Sequence, residues 1–306
     1  MSPSVPFEGI DGATGRYLFA ARAGGEPLAP AGSVRAKAPA AFVDRGDLAS
    51  AGWGALFPPG GDPAVREALG ELLAHREAQA GGRFRTFTWD PERDFLRDHG
   101  VGPGPVDPRS LPYYLLLVGD PEALPYDLER RLAVQLAVGR IAFDTPEEYA
   151  RYARGVIAAE TGRPPRPLRA ALWGAGHPGD VATELMLRHL VGPLAARLPE
   201  LSEGWTFATA LGAEGTRSRL LRYLGGEETP ALLFTASHGV GFPPGDPRQR
   251  CHQGALLGSD WPGPASRPSP LPAASYLTCC DLDESVDVAG LVAFFFGCFS
   301  AGTEPG

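Results

Sequence analysis

Ala231-Leu232-Leu233-Phe234-Thr235-Ala236-Ser237-His238-Gly239 is the stretch on which the reading of this chain turns. Its first six residues carry one hydroxyl and no charge. A run that short, apolar on both sides, fits a strand buried on both faces, the kind found in parallel sheets. In open parallel sheets the loops leaving the carboxyl ends of strands hold the functional groups, and His238 stands at such an end. A second run of the same type, Leu291-Val292-Ala293-Phe294-Phe295-Phe296, leads into Gly297-Cys298-Phe299-Ser300-Ala301-Gly302-Thr303. If the two strands are neighbours, an imidazole and a thiol project into one cleft, where the imidazole converts the thiol to its nucleophilic thiolate. Gly239 leaves the backbone beside His238 bare, so its N–H, with that of Cys298, can form an oxyanion hole. A lone buried cysteine or histidine after an apolar strand is ordinarily packing. The pair, each with an adjoining glycine, points to chemistry.

Strand and helix alternate on the way to these two runs. A strand covers 168–173, and a helix after Asp180 buries Leu187, Leu190, Val191, Leu194 and Leu198 despite Pro193. A strand at 205–208 and a helix at 216–224 come next. Before them, Pro164-Pro165-Arg166-Pro167 forbids helix and marks a linker. It divides a smaller α/β N-terminal domain, 1–165, from a second domain, 166–306; the first 40 or so residues, rich in Ala, Gly and Pro with one apolar patch at Tyr17-Leu18-Phe19-Ala20-Ala21, read as a flexible, irregular arm or a peripheral strand. Within the first domain, Asp62 caps a helix with Pro63 in its first turn and Val65, Leu69, Leu72 and Leu73 on one face. Residues 83–89 alternate polar and aromatic as a half-buried strand, and 113–118 form an apolar strand stopped by Gly119-Asp120-Pro121. A further strand covers 136–141, and Thr145-Pro146-Glu147-Glu148 is a capping box that opens a helix. The fold class is α/β, with mostly parallel sheet flanked by helices.

The His-Gly and Gly-Cys strand ends resemble those of the caspase-like (clan CD) cysteine peptidases, which include caspases, metacaspases, gingipains, clostripain and the bacterial CHAT proteins. Phe296-Gly297-Cys298-Phe299-Ser300-Ala301-Gly302-Thr303 is most similar to the gingipain-like and CHAT versions. Leu115 to Pro121, Ala137 to Ile141 and the helix from Pro146 resemble the region ahead of the catalytic half, and Gln253-Gly254-Ala255-Leu256-Leu257 looks like a CHAT feature. The likeness covers roughly 110–306. It implies a cysteine endopeptidase in which Cys298 is the nucleophile, His238 the general base and acid, and Gly239 an oxyanion-hole donor, with no metal or organic cofactor. It also implies latency relieved by an activating protease or a regulatory partner, in bacteria often within defence systems. In the family the sheet continues past the nucleophile. The sequence ends eight residues after Cys298, so the resemblance predicts that C-terminal strands of the fold are absent and that this is a fragment or a processed, large-subunit-like part. Metacaspases, which cleave after basic residues, have an acid in the loop after the first strand of the domain. Asp180 occupies the matching loop here and, with the stretch Asp281, Asp283, Glu284 and Asp287, favours Arg or Lys at P1. The other reading of Asp180 is a helix N-cap, and of the acidic stretch a solvated loop.

Other chemistry competes for the same residues. Gly174, Gly176 and Gly179 satisfy G-x-G-x-x-G between a strand and a helix, the context of a dinucleotide site. The next strand ends without the acid that would hold a ribose, and Pro178 removes an N–H from the turn. Cys251-His252 with Cys279-Cys280 lacks zinc-ligand spacing, and Ser237 has no G-x-S-x-G elbow. Besides the peptidase, a catalytically silent caspase-like scaffold and a nucleotide-binding protein using the Gly174 to Gly179 loop stay open.

The 306 residues suffice for about two domains with sizeable cores. A net charge of −8 argues against nucleic acid as a partner. Four cysteines are too few for a disulfide framework. The start carries no basic and apolar leader, and the longest apolar run, 291–299, is far below the ~20 residues that span a bilayer. The expectation is a cytoplasmic protein with a protein or peptide substrate and no membrane partner.

Overall fold

A computed structural model describes residues 8–15, 17–19, 43–102, 104–162, 166–225, 228–264, 270–282 and 286–300. It divides into two compact units, Leu28–Arg163 and a second made of Met1–Pro27 with Pro164–Gly306. Each holds one four-stranded, all-parallel sheet. Counted in chain order, the strands of these two sheets are β1 (Trp53–Phe57), β2 (Phe84–Thr88), β3 (Tyr114–Val118), β4 (Ala137–Ile141), β5 (Arg169–Ala175), β6 (Thr206–Gly212), β7 (Leu232–Ala236) and β8 (Val292–Phe296).

In the first unit the order is β2-β1-β3-β4. Alternate residues of β1 feed opposite faces: Ala55 and Phe57 join Leu69, Leu72 and Tyr149, whereas Leu56 joins Leu115, Leu128 and Leu132. Helices Pro63–Ala68, Gly70–Ala80 and Pro146–Thr161 therefore cover one face and Tyr126–Ala133 the other. Asp62 caps the first of these by accepting from Ala64 N, and Thr145 with Glu148 makes the capping box of Pro146–Thr161. The half-exposed β2 is an edge strand, which explains its alternating pattern. The fully buried β1 has no counterpart in the sequence reading. Gly54 and Ala55 dilute its apolar signal, and a Cβ at Gly54 would lie 3.1 Å from the Arg85 carbonyl oxygen, so a small residue is required there.

In the second unit the order is β8-β7-β5-β6. Leu172, Ala236 and Val191 pack on one face, and Trp173, Tyr223 and Leu233 on the other. The helix after Asp180 runs as Val181–Met186, a π turn Leu187–Val191, then Gly192–Leu201. Pro193 has no N–H to give to the residue four before it, and the wider turn, in which Gly192 N bonds Leu187 O, absorbs the defect without breaking the rod.

Two expectations are corrected. The beginning of the chain does form the peripheral strand that its apolar patch allows, at Tyr17–Phe19, but not in the N-terminal domain: Glu8–Asp11 pairs parallel with Val240–Gly241 and antiparallel with Tyr17–Phe19, and so belongs to the second unit. Residues 20–42 lie outside the described part, as do Arg163, Pro164 and Pro165 of the linker. Nor is every apolar strand covered. Among the described residues β8 is the edge strand that the predicted absence of C-terminal strands implies, but its faces are not covered as its apolar run suggests: Val292, Phe294, Phe295 and Phe296 are 65%, 53%, 42% and 48% exposed. No helix among the described residues is long and apolar enough to cross a membrane.

This contrast between adjacent strands gives a stability test. Leu233→Ala on buried β7 should cost about 2–5 kcal/mol, and Val292→Thr on exposed β8 no more than about 0.5 kcal/mol, measured as shifts in urea midpoint at constant slope.

Candidate active site

β7 and β8 are hydrogen-bonded neighbours in parallel register, from Leu232 opposite Val292 to Ala236 opposite Phe296. His238 and Cys298 each stand two residues beyond the last pair, so the pairing delivers imidazole and thiol to one end of the sheet. Both line a cavity of about 500 Å3 whose remaining wall includes Leu185, Met186, Leu190, Phe295 and Phe296. The backbones meet closely. A Cβ on Gly239 would overlap the Cys298 carbonyl, so only glycine fits beside the thiol's loop. The Gly239 N–H makes no hydrogen bond among the described residues. An unengaged N–H of this kind can donate to an oxyanion. The Ser237 hydroxyl instead donates to the His238 carbonyl at 2.9 Å, which leaves it no nucleophilic role.

Cys298 sits in a turn whose Ser300 N–H reaches back to Gly297 O at 3.4 Å. Phe299, at φ 60°, takes the left-handed conformation that the third position of a type II turn demands and that bulky residues avoid. The Ser300 hydroxyl donates to the same Gly297 carbonyl at 2.8 Å.

His238 Nε2 lies 2.6 Å from Asp180 Oδ2. Asp180 is fully buried, and its carboxylate also accepts from Ala182 N at 3.2 Å and from the Thr183 hydroxyl at 2.9 Å. An acceptor-only group fixes the tautomer. Nε2 carries the proton toward Asp180 and Nδ1 is the basic nitrogen of the neutral ring. Asp180 is thus the N-cap of Val181–Met186 and at the same time the carboxylate that orients His238.

This placement corrects the role expected of Asp180 as a wall for a basic side chain: a fully buried carboxylate with three protein donors makes no direct contact with a substrate side chain. Asp281 is committed as well. It accepts from Arg217 Nη2 at 2.6 Å and from the backbone and hydroxyl of Thr278, and although burial opposes it, these bonds hold its carboxyl below the usual range. Asp283 and Glu284 lie outside the described residues. The glycine loop finds a packing explanation. A Cβ at Gly174 or Gly176 would press on Leu187, at 2.9 and 2.8 Å, and Gly179 adopts φ 73° before the cap. The carboxylate of Asp180 occupies the helix N-terminus where a pyrophosphate would sit.

Sequence reasoning missed His177. It is 2% exposed, its ring stacks on that of His238 at 6.0 Å between centroids and 14° between planes, and its Nδ1–H donates to the Trp261 carbonyl at 3.0 Å. Its Nε2 has no partner among the described residues. Burial pushes its pKa down to about 4, against the bond to Trp261, so it stays neutral beside His238. No motif marks it, since the contact is made across 61 positions of chain. Comparison with protein-family models, curated proteins and solved structures finds no match.

Because the folded state keeps His177 neutral to about pH 4 while an unfolded chain protonates it near 6.5, protons favour unfolding across that window. Stability should fall from pH 6.5 toward 4, by on the order of a few kcal/mol from this group, and level off below. His177→Gln should flatten that slope in urea titrations at pH 7, 5.5 and 4.5; an unchanged slope would assign the acid sensitivity elsewhere.

Proposed function

We propose that the protein is a caspase-like cysteine endopeptidase of gingipain-like or CHAT type. The observation that carries the reading is the convergence of His238, oriented by a buried carboxylate, with Cys298 on one cavity at the ends of two paired parallel strands.

In this reading the Cys298 proton passes to His238 Nδ1, and the thiolate adds to the scissile carbonyl carbon. Negative charge gathers on the carbonyl oxygen, where the Gly239 N–H meets it. As the C–N bond breaks, His238 returns the proton to the leaving amine and a thioester remains on Cys298. Water then gives a proton to His238 and adds to the thioester, the acid product leaves, and the proton returns to the thiol. Asp180 acts through His238 as a positioning residue. It holds Nε2–H in place. The chemistry calls for no cofactor. Latency relieved by proteolysis or by a partner is part of the same proposal and rests on the family resemblance alone.

The side-chain preference proposed here differs from the basic one that the resemblance implies. Of the acids that favour Arg or Lys, Asp180 and Asp281 are engaged within the protein, and the wall beside the thiol includes Leu185, Met186, Leu190, Phe295 and Phe296. An apolar P1 residue fits this surface.

A fluorogenic peptide panel varied at P1 tests the proposal. Apolar P1 substrates should be cleaved at least about tenfold faster than Arg or Lys ones. Cys298→Ala should abolish cleavage, and His238→Ala should reduce kcat by about 10²–10⁴. Asp180→Asn should lower kcat more than it raises KM, because the amide no longer holds Nε2–H in the same way. A wild type silent on the whole panel, also after limited proteolysis, together with a Cys298 that iodoacetamide alkylates no faster than an ordinary thiol at pH 7, would leave the scaffold reading in possession.

A further inference from the structure

The three cysteines other than Cys298 meet at one place. Cys251 lies in the helical turn Gln249–His252, and Cys279 and Cys280 in the turn Cys279–Asp281 packed against it. The Cys279 thiol donates to the Cys251 carbonyl at 3.5 Å, and the sulfurs of Cys279 and Cys280 are 4.0 Å apart. Hydrogen bonding to the Cys280 side chain pushes the Cys251 thiol above its ordinary pKa. Cys279 and Cys280 are exposed and Cys251 is half-buried. The supports are fixed. Asp281 ties one turn to Arg217, and on the other His252 Nδ1 lies 3.0 Å from the Tyr276 hydroxyl. Among the described residues these thiols do not belong to a metal-ligand set.

The segment after Cys251 runs straight to the candidate site. Gly254 N bonds Val240 O at 2.8 Å, Val240 N bonds Ala255 O at 2.9 Å, and Leu257 N bonds His238 O at 3.0 Å. On its other side Gly254, at φ 76°, lies so close to the nucleophile's turn that a Cβ would stand 2.5 Å from the Phe299 carbonyl oxygen. Residues 254–257 are therefore wedged between the His238 and Cys298 loops, three residues from the thiol cluster.

We propose that Cys251 and Cys280 form a reversible disulfide that repositions residues 254–257 and thereby changes the reactivity of Cys298. With a low-molecular-weight disulfide such as oxidised glutathione as the oxidant, the exposed Cys280 thiolate attacks it and releases one glutathione thiol. The Cys251 thiolate then attacks the Cys280 sulfur and releases the second. Two protein thiols are oxidised and one glutathione disulfide is reduced; thiols reverse the bridge. Such transient bridges suit a reducing compartment. The bridge itself does not depend on peptidase activity; only its effect on Cys298 extends the proposed function.

The full chain, equilibrated with oxidised glutathione, acid-quenched and peptide-mapped, should lose two of its four free thiols as a Cys251–Cys280 bridge and regain them with dithiothreitol. Cys251→Ser and Cys280→Ser should prevent the loss, and Cys279→Ser should not. Iodoacetamide should alkylate Cys298 at rates differing by about threefold or more between the oxidised and reduced forms of wild type and Cys279→Ser, with no difference in Cys251→Ser. A Cys279–Cys280 bridge, a bridge to Cys298, retention of all four thiols, or a Cys251–Cys280 bridge that leaves the alkylation rate unchanged would each overturn the switch. None of these measurements requires a cleaved peptide, so failure of the switch and failure of the peptidase proposal are separable.

Discussion

The parallel pairing of β7 with β8 is the constraint on which the site depends. Five register pairs, ending at Ala236 opposite Phe296, set the two loops side by side with equal overhang. Everything beyond that point is packed backbone to backbone. Gly239 has no room for a side chain against Cys298, and Ser237 N takes the Phe296 carbonyl at 3.1 Å. A one-residue slip would not merely misplace the thiol. It would turn each side chain of β8 to the opposite face of the sheet and separate Phe294 from the Phe234 ring on which it stacks at 5.1 Å. The chemistry proposed for the cleft therefore inherits its precision from the sheet, not from the loops.

Asp180 shows how one buried charge is made tolerable. A carboxylate alone in this interior would be strongly disfavoured, but here it meets a backbone N–H at 3.2 Å, a hydroxyl at 2.9 Å and an imidazole N–H at 2.6 Å. Two of those donors belong to the helix it caps, so the cost of burial is offset locally and the third bond is left to organise His238. Behind this contact His177 and Trp261 form a further layer, and Trp261 packs with Ile10, Val240 and Phe242 in a small separate core. The orientation of the imidazole is thus tied to a core that reaches Ile10, near the start of the described chain.

Much of this arrangement is readable in one dimension, and the reasons are specific. β5, β7 and β8 stand out because strands of a parallel sheet are continuous apolar runs, and His238 and Cys298 stand out because each abuts such a run. Thr145 and Asp62 announce their helices because capping is a local hydrogen bond. Trp53–Phe57 escapes notice because close strand packing demands Gly and Ala where hydropathy would need larger residues. Asp180 is visible as a cap, but a cap and a histidine's partner are the same residue type in the same place, and only the fold shows that it is both. His177 is hidden because stacking between 177 and 238 leaves no local signature. The exposure of β8 is equally invisible, since composition reports what a strand is suited to touch and not what touches it.

The strand Glu8–Asp11 bears on how the protein comes into being. Its partner Val240 is 230 residues downstream of Ile10, and the whole unit Leu28–Arg163 lies between them in sequence. At roughly 5–20 residues per second of synthesis, the first strand waits on the order of 10–50 s for its edge to exist, long enough for the intervening unit to fold. Joining them closes a very long loop, a step that contributes nothing until both partners are in place. The neighbourhood of His238 is therefore completed only after the whole of the intervening unit has been synthesised.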